Sequence, residues 1–128
     1  MRRSFLVAII AFSASPVFAD NLYDKCIDQS DGTNTAWGQC GGELLKRADS
    51  KLNATWKKIY GQVNGQTKTD LLAEQRLWNS YKESSCSFYT NGDWGREGQV
   101  LHYPSCRASV IEARTKQLQE YGSFTSGQ

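Results

Sequence analysis

Between about Ala36 and Val63 the residues Trp37, Cys40, Leu44, Ala48, Leu52, Trp56, Ile59 and Val63 recur at steps of three and four. That is the period of a helical face turned toward a core. Gly41-Gly42 falls inside the run, and each glycine costs roughly 1 kcal/mol relative to alanine, so the firm helix is expected from about Glu43. Asn64-Gly65, within Gly61 to Gln66, reads as a turn. A second helix is expected from Thr67, because Thr67-x-x-Asp70 resembles a capping box. It places Leu71, Leu72, Gln75, Trp78 and then Ser85 or Cys86 on one face. Leu77, Tyr81 and Phe88 widen that stripe, which predicts burial on two sides. The short turn before it implies an antiparallel hairpin.

Thr90 to His102 contains Gly92, Gly95 and Gly98 around Asp93, Trp94, Arg96 and Glu97, which predicts a long loop. Pro104 suits the first turn of a third helix. Cys106, Val110, Ile111, Arg114, Leu118 and Tyr121 follow at helical spacing, and Gly122 ends the pattern. Asp20 to Thr35 is polar, with Asp20, Asp24, Asp28 and Asp31 around Lys25, and reads as an acidic N-terminal arm. The expected fold is all-α: one antiparallel three-helix domain over residues 20–128 with Trp37, Trp56 and Trp78 inside.

Residues 1–19 stand apart. Arg2 and Arg3 precede the apolar run Phe5 to Phe12, and Val17-Phe18-Ala19 ends in a small residue, the pattern of a cleaved secretory signal peptide. The run is shorter than the roughly 20 residues of a membrane span. No cysteine follows the cleavage point directly, so no lipid anchor is expected, and the product is placed in the bacterial periplasm or outside the cell. The chain has 15 Lys and Arg against 13 Asp and Glu. Losing Arg2 and Arg3 balances them, which argues against nucleic-acid binding, since that needs a sustained basic stripe.

The four cysteines, Cys26, Cys40, Cys86 and Cys106, all follow the leader. An even count in a small exported chain predicts a disulfide framework. No C-x-x-C is present and His102 is the lone histidine, so neither a zinc site nor a thioredoxin-like redox site is expected. Three pairings are open. Helix placement favours Cys26–Cys40, tying the arm to the first helix, and Cys86–Cys106, tying the second to the third; Cys40–Cys86 with Cys26–Cys106 is the alternative.

Three strings together resemble a known family. They are Ala48-Asp49-x-x-Leu52-Asn53-x-x-Trp56, then Leu71-Leu72-Ala73-Glu74-Gln75-Arg76-Leu77-Trp78-x-x-Tyr81, then Cys86, Cys106, Arg114 and Leu118. In this order they resemble the LprI-type lysozyme-inhibitor domain, from about Cys26 to Leu118. The resemblance implies a small, exported, helical, cysteine-paired domain that binds lysozyme and blocks peptidoglycan hydrolysis, with no cofactor. A periplasmic interaction or immunity module with another protein partner is the alternative.

Among the polar residues, Asp49, Asn53, Gln75, Arg76 and Arg114 sit on or near apolar faces, where a buried charge needs a partner. They are expected to form a structural network, with Asp49 paired to Arg76 or Arg114. His102 has no second histidine and no free nucleophile beside it, and Asp93 with Glu97 is a spacing common by chance, so no catalytic residue is expected. Trp94 lies outside any helical period, in a glycine-rich segment with Tyr89, Asp93, Arg96 and Glu97. That group is the candidate surface for a partner.

Overall fold

The computed structural model describes residues 20–125, so the expected signal peptide lies outside the described residues. Four helices make up the fold: α1 (Asn21–Gln29), α2 (Asn34–Gln62), α3 (Gly65–Ser84) and α4 (Tyr103–Thr125). Among the described residues there is no strand.

The acidic arm is not an arm. Asp20 caps α1 by accepting from the N–H groups of Leu22 (2.9 Å) and Tyr23 (3.1 Å), which satisfies two otherwise orphaned donors. Tyr23, Cys26 and Ile27 then share one half-buried face, and α1 folds back over the first half of α2. Cys26 is bonded to Cys40, Asp20 receives the Arg47 Nε at 3.0 Å, and the Tyr23 hydroxyl donates to the Leu101 carbonyl at 3.2 Å. The predicted turn at Asp31-Gly32 is present, with Gly32 at φ +76° and Asp31 accepting from the N–H and hydroxyl of Thr33.

The core lies between α2 and α4, which run parallel. Leu44, Ala48, Leu52 and Ile59 of α2 pack with Ala108, Ile111 and Leu118 of α4, joined by Val63 and Leu71. Glycine at two positions sets the approach. A β-carbon at Gly41 would lie 2.8 Å from Pro104, and one at Gly122 would lie 2.3 Å from Ile59. The helix runs through Gly41 from Asn34, ahead of the expected Glu43, and Gly122 does not end α4: tertiary contact outweighs the modest helix propensity cost of glycine. Trp56 and Trp78 are half-buried against this core and Trp37 is half-buried beyond it, so none of the three is fully inside.

The α2–α3 hairpin forms as expected, but α3 begins at Gly65 and not at the proposed Thr67 box. The Asn64 side chain makes no capping bond, and Asp70 accepts instead from the Gln66 amide at 2.8 Å. Two-sided burial of α3 does not occur. Leu71 and Gln75 are buried, whereas Leu77, Tyr81 and Phe88 are 73%, 59% and 59% exposed. With α2 and α4 in direct contact, α3 covers their seam with one face only.

Candidate partner-binding site

The site is built where α3 ends. Cys86 takes a left-handed backbone at φ +67°, which halts the helix, and its sulfur is bonded to Cys106 on α4. The Arg107 guanidinium donates to the carbonyls of Glu83 (3.2 Å) and Ser85 (3.5 Å). A cation there meets the negative end of the α3 dipole. Phe88 and Tyr89 follow on a short 3₁₀ turn, Ser87–Tyr89.

The long loop predicted over Thr90 to His102 is only half a loop. Gly95–Glu97 makes one helical turn, and Gly98–His102 is a π-helical stretch that runs into α4. Gly98 is buried, and a β-carbon there would meet both the Tyr89 carbonyl oxygen and the Trp94 side chain at 2.5 Å. That close approach folds the segment back on itself.

Trp94 is consequently brought into an aromatic cluster. Its ring centroid lies 5.0 Å from Phe88 and 6.0 Å from Tyr89, and Tyr89 stacks on His102 at 5.4 Å. These spacings fall in the favourable range for ring pairs. Trp94 keeps 48% of its surface exposed and Phe88 keeps 59%. Asp93, Arg96 and Glu97 are exposed around it. The sequence grouping of Tyr89, Asp93, Trp94, Arg96 and Glu97 is thus one surface; Phe88 and His102 belong to the same cluster and were legible only as neighbours in the chain. An open groove of about 870 Å³ between α3 and α4 leads away from it, lined by Trp78, Tyr81, Tyr89, His102 and the polar side of α4.

The expected polar network is rearranged. Arg114, 3% exposed, donates through Nε to Gln75 at 2.9 Å and through Nη1 to Glu74 and Gln117. The Tyr121 hydroxyl also donates to Glu74, at 3.2 Å. Burial and the Glu74 anion both push the Tyr121 phenol above its ordinary value. Asp49 pairs with neither Arg76 nor Arg114: it is half-buried on α2, while Asn53 and Arg76 are exposed. Glu74 wins because α3 runs antiparallel beside α4 and sets residues 74 and 75 opposite 114. Tyr121 shares the helical spacing of Arg114, but nothing in the sequence marks it, Glu74 or Gln117 as part of the Arg114 network.

The acidic side chains of α1 divide by role. Asp20 is held by its capping bonds and by Arg47 of α2, Asp31 is held by Thr33, and Asp24 and Asp28 are exposed. Among the described residues no group of three His, Cys, Asp or Glu side chains is placed to hold a metal ion, and no helix is long and apolar enough to cross a membrane. Both disulfides have the favoured pairing, and no cysteine is free.

Residues 26–118 match the family described as lysozyme inhibitor LprI. The chain belongs to the LprI family. No curated relative and no solved structure matches it. The LprI match begins at Cys26 and ends at Leu118, so it takes in both disulfides, the aromatic cluster and the Arg114 network. The family description makes its function inhibitory in kind.

Proposed function

We propose that this protein is exported to the bacterial periplasm or beyond, binds a lysozyme and blocks hydrolysis of peptidoglycan, acting as a single unit over residues 20–128 without catalysis of its own. Membership of the LprI family carries this reading. The cluster around Trp94 supports it, because exposed aromatic side chains on a cross-linked scaffold lose little freedom on binding. Trp94 and Tyr89 supply apolar contact, and Asp93, Arg96 and Glu97 supply the polar rim. Asp24 and Asp28 on α1 steer approach to a basic enzyme.

A turbidity assay of lysozyme on bacterial cell walls, titrated with the oxidised protein, tests this. Stoichiometric inhibition is expected, weakened about tenfold or more by Trp94→Ala. No inhibition of several lysozyme types at micromolar concentration would sink the reading. Inhibition unaffected by Trp94→Ala would move the contact away from the cluster.

A further inference from the structure

Among the described residues Cys86 is the only one other than glycine with a positive φ, at +67°. A left-handed backbone is unfavourable for a residue with a β-carbon and persists where its surroundings impose it. The covalent tie that imposes it is the bond to Cys106 on α4. Arg107 holds the last turn of α3, but through the carbonyls of Glu83 and Ser85 and not through Cys86. The other bridge is placed differently. Cys26 and Cys40 border a shallow hollow between α1 and α2, yet Cys40 is 3% exposed in the core. Cys26 is also kept beside it by the Asp20–Arg47 and Tyr23–Leu101 contacts, which favour re-closure if the bond opens. Cys86 and Cys106 are both half-buried, and Cys106 lines the open groove between α3 and α4, where a reductant reaches it.

We infer that the Cys86–Cys106 bond is a redox-sensitive latch on the Trp94 cluster, opened by a dithiol reductant while Cys26–Cys40 stays closed. One thiolate of the dithiol attacks the Cys106 Sγ, the S–S bond breaks and Cys86 leaves as a thiolate. The second thiol then displaces Cys106, so the bridge gains two electrons, the dithiol becomes a disulfide, and its two protons end on the two cysteines. Arg107 favours the leaving step. It follows Cys106 in the chain, its guanidinium reaches the Ser85 carbonyl beside Cys86, and its Nε is buried without an acceptor. A cation next to a thiol stabilises the thiolate. With the bond open, Cys86 relaxes out of the left-handed region and the chain leaves α3 in a new direction. Phe88 and Tyr89 follow two and three residues later, so they part from Trp94 and His102. The core between α2 and α4 contains neither cysteine of this bridge and stays packed. Loss of inhibition as the consequence rests on the lysozyme-binding reading; the opening itself does not.

Equilibrating the oxidised protein with graded ratios of reduced to oxidised dithiothreitol, then alkylating its thiols and mapping them by mass spectrometry, tests the inference. Cys86 and Cys106 are expected to be alkylated at a ratio about tenfold below that needed for Cys26 and Cys40, with far-UV circular dichroism unchanged. Tryptophan fluorescence is expected to change at the same ratio in the wild type and not in Trp94→Phe. Arg107→Gln is expected to slow the opening about threefold, and Arg107→Lys, which keeps the charge, to restore it. Opening of Cys26–Cys40 first, or of both bridges together, overturns the inference, as does selective opening without a Trp94 signal. Protein alkylated with this bridge alone open, and freed of reductant, is expected to lose inhibition in the cell-wall assay, and protein reoxidised instead is expected to regain it. Inhibition that survives the opening overturns the latch. A protein that opens this bridge first, with the Trp94 signal, and inhibits no lysozyme even when oxidised supports the latch and overturns the proposed function.

Discussion

The backbone of Gly98 lies against the carbonyl of Tyr89, so close that a β-carbon at residue 98 would stand 2.5 Å from that oxygen. The obstacle is backbone, which cannot rotate aside. Gly98→Ala is therefore expected to prise the π-helical stretch off the 3₁₀ turn and cost about 1–3 kcal/mol. Gly122→Ala faces only the tip of the Ile59 side chain and is expected to cost less. Thermal melts of the two variants, read beside tryptophan fluorescence for the Trp94 cluster, check the order; equal losses would mean that the Tyr89 contact does not hold the segment.

Arg114 is the polar centre of the α3–α4 seam, with its side chain 2% exposed against 44% for Glu74. Truncating the buried partner strands Gln75 and Glu74 together. Arg114→Ala is expected to destabilise by about 3–5 kcal/mol, and Glu74→Gln by less because that carboxylate is partly solvated. Asp49→Ala, which removes no bond in the structure, is expected to stay within about 0.5 kcal/mol of wild type. Urea unfolding measures all three. A large loss in Asp49→Ala would restore the pairing that the sequence pattern first favoured.

The Cys86–Cys106 bond closes the segment that carries the aromatic cluster, across 20 residues. Its removal by the double change to serine is expected to cost about 3 kcal/mol in the loop-entropy account. Inhibition is expected to fall more than the lost stability alone explains, because the cluster loses its preorganisation. Comparing inhibition at a temperature where the variant is still folded by circular dichroism separates the two effects.

Two carboxyl groups shift in opposite directions. Burial raises the Glu112 carboxyl above its ordinary value, opposed by Lys51 and aided by the Asp20 anion. The folded state then holds more protons than the unfolded one just above pH 4.5, so stability falls as pH rises through the raised value. Glu112→Gln is expected to melt higher than wild type at pH 7 and to lose that advantage near pH 4. Asp20 behaves the other way. Although burial works against it, the Arg47 guanidinium and the N–H groups of Tyr23 and Leu22 lower its value below 3.8, so its contribution is present above that pH and lost as pH falls through the lowered value. Melting temperature followed from pH 2 to 8 in wild type, Glu112→Gln and Asp20→Asn distinguishes the two groups.

Periodicity determined most of the helices and favoured the two bridges that form, while leaving the alternative pairing open. The apolar steps from Trp37 to Ile59 and from Cys106 to Leu118 are local properties of the chain, and they map onto α2 and α4 because a helix repeats every 3.6 residues whatever lies beside it. The motif strings from Cys26 to Leu118 likewise sufficed for the family. α1 was hidden by its aspartates, although Tyr23, Cys26 and Ile27 carry the spacing. What the tertiary structure alone decided is which residues meet. Glycines that are unfavourable in an isolated helix stay helical at residues 41 and 122 because Pro104 and Ile59 occupy the space beside them. Arg114 takes Glu74 and Gln75 over Asp49 because the antiparallel α3 delivers them at bonding distance. Leu77 and Tyr81 share the apolar character of core residues and yet face outward, since the contact between α2 and α4 leaves α3 only one face to bury. Helical period is written in a single stretch of chain, whereas partner choice depends on the distance between stretches, and that distance exists only once the helices have packed.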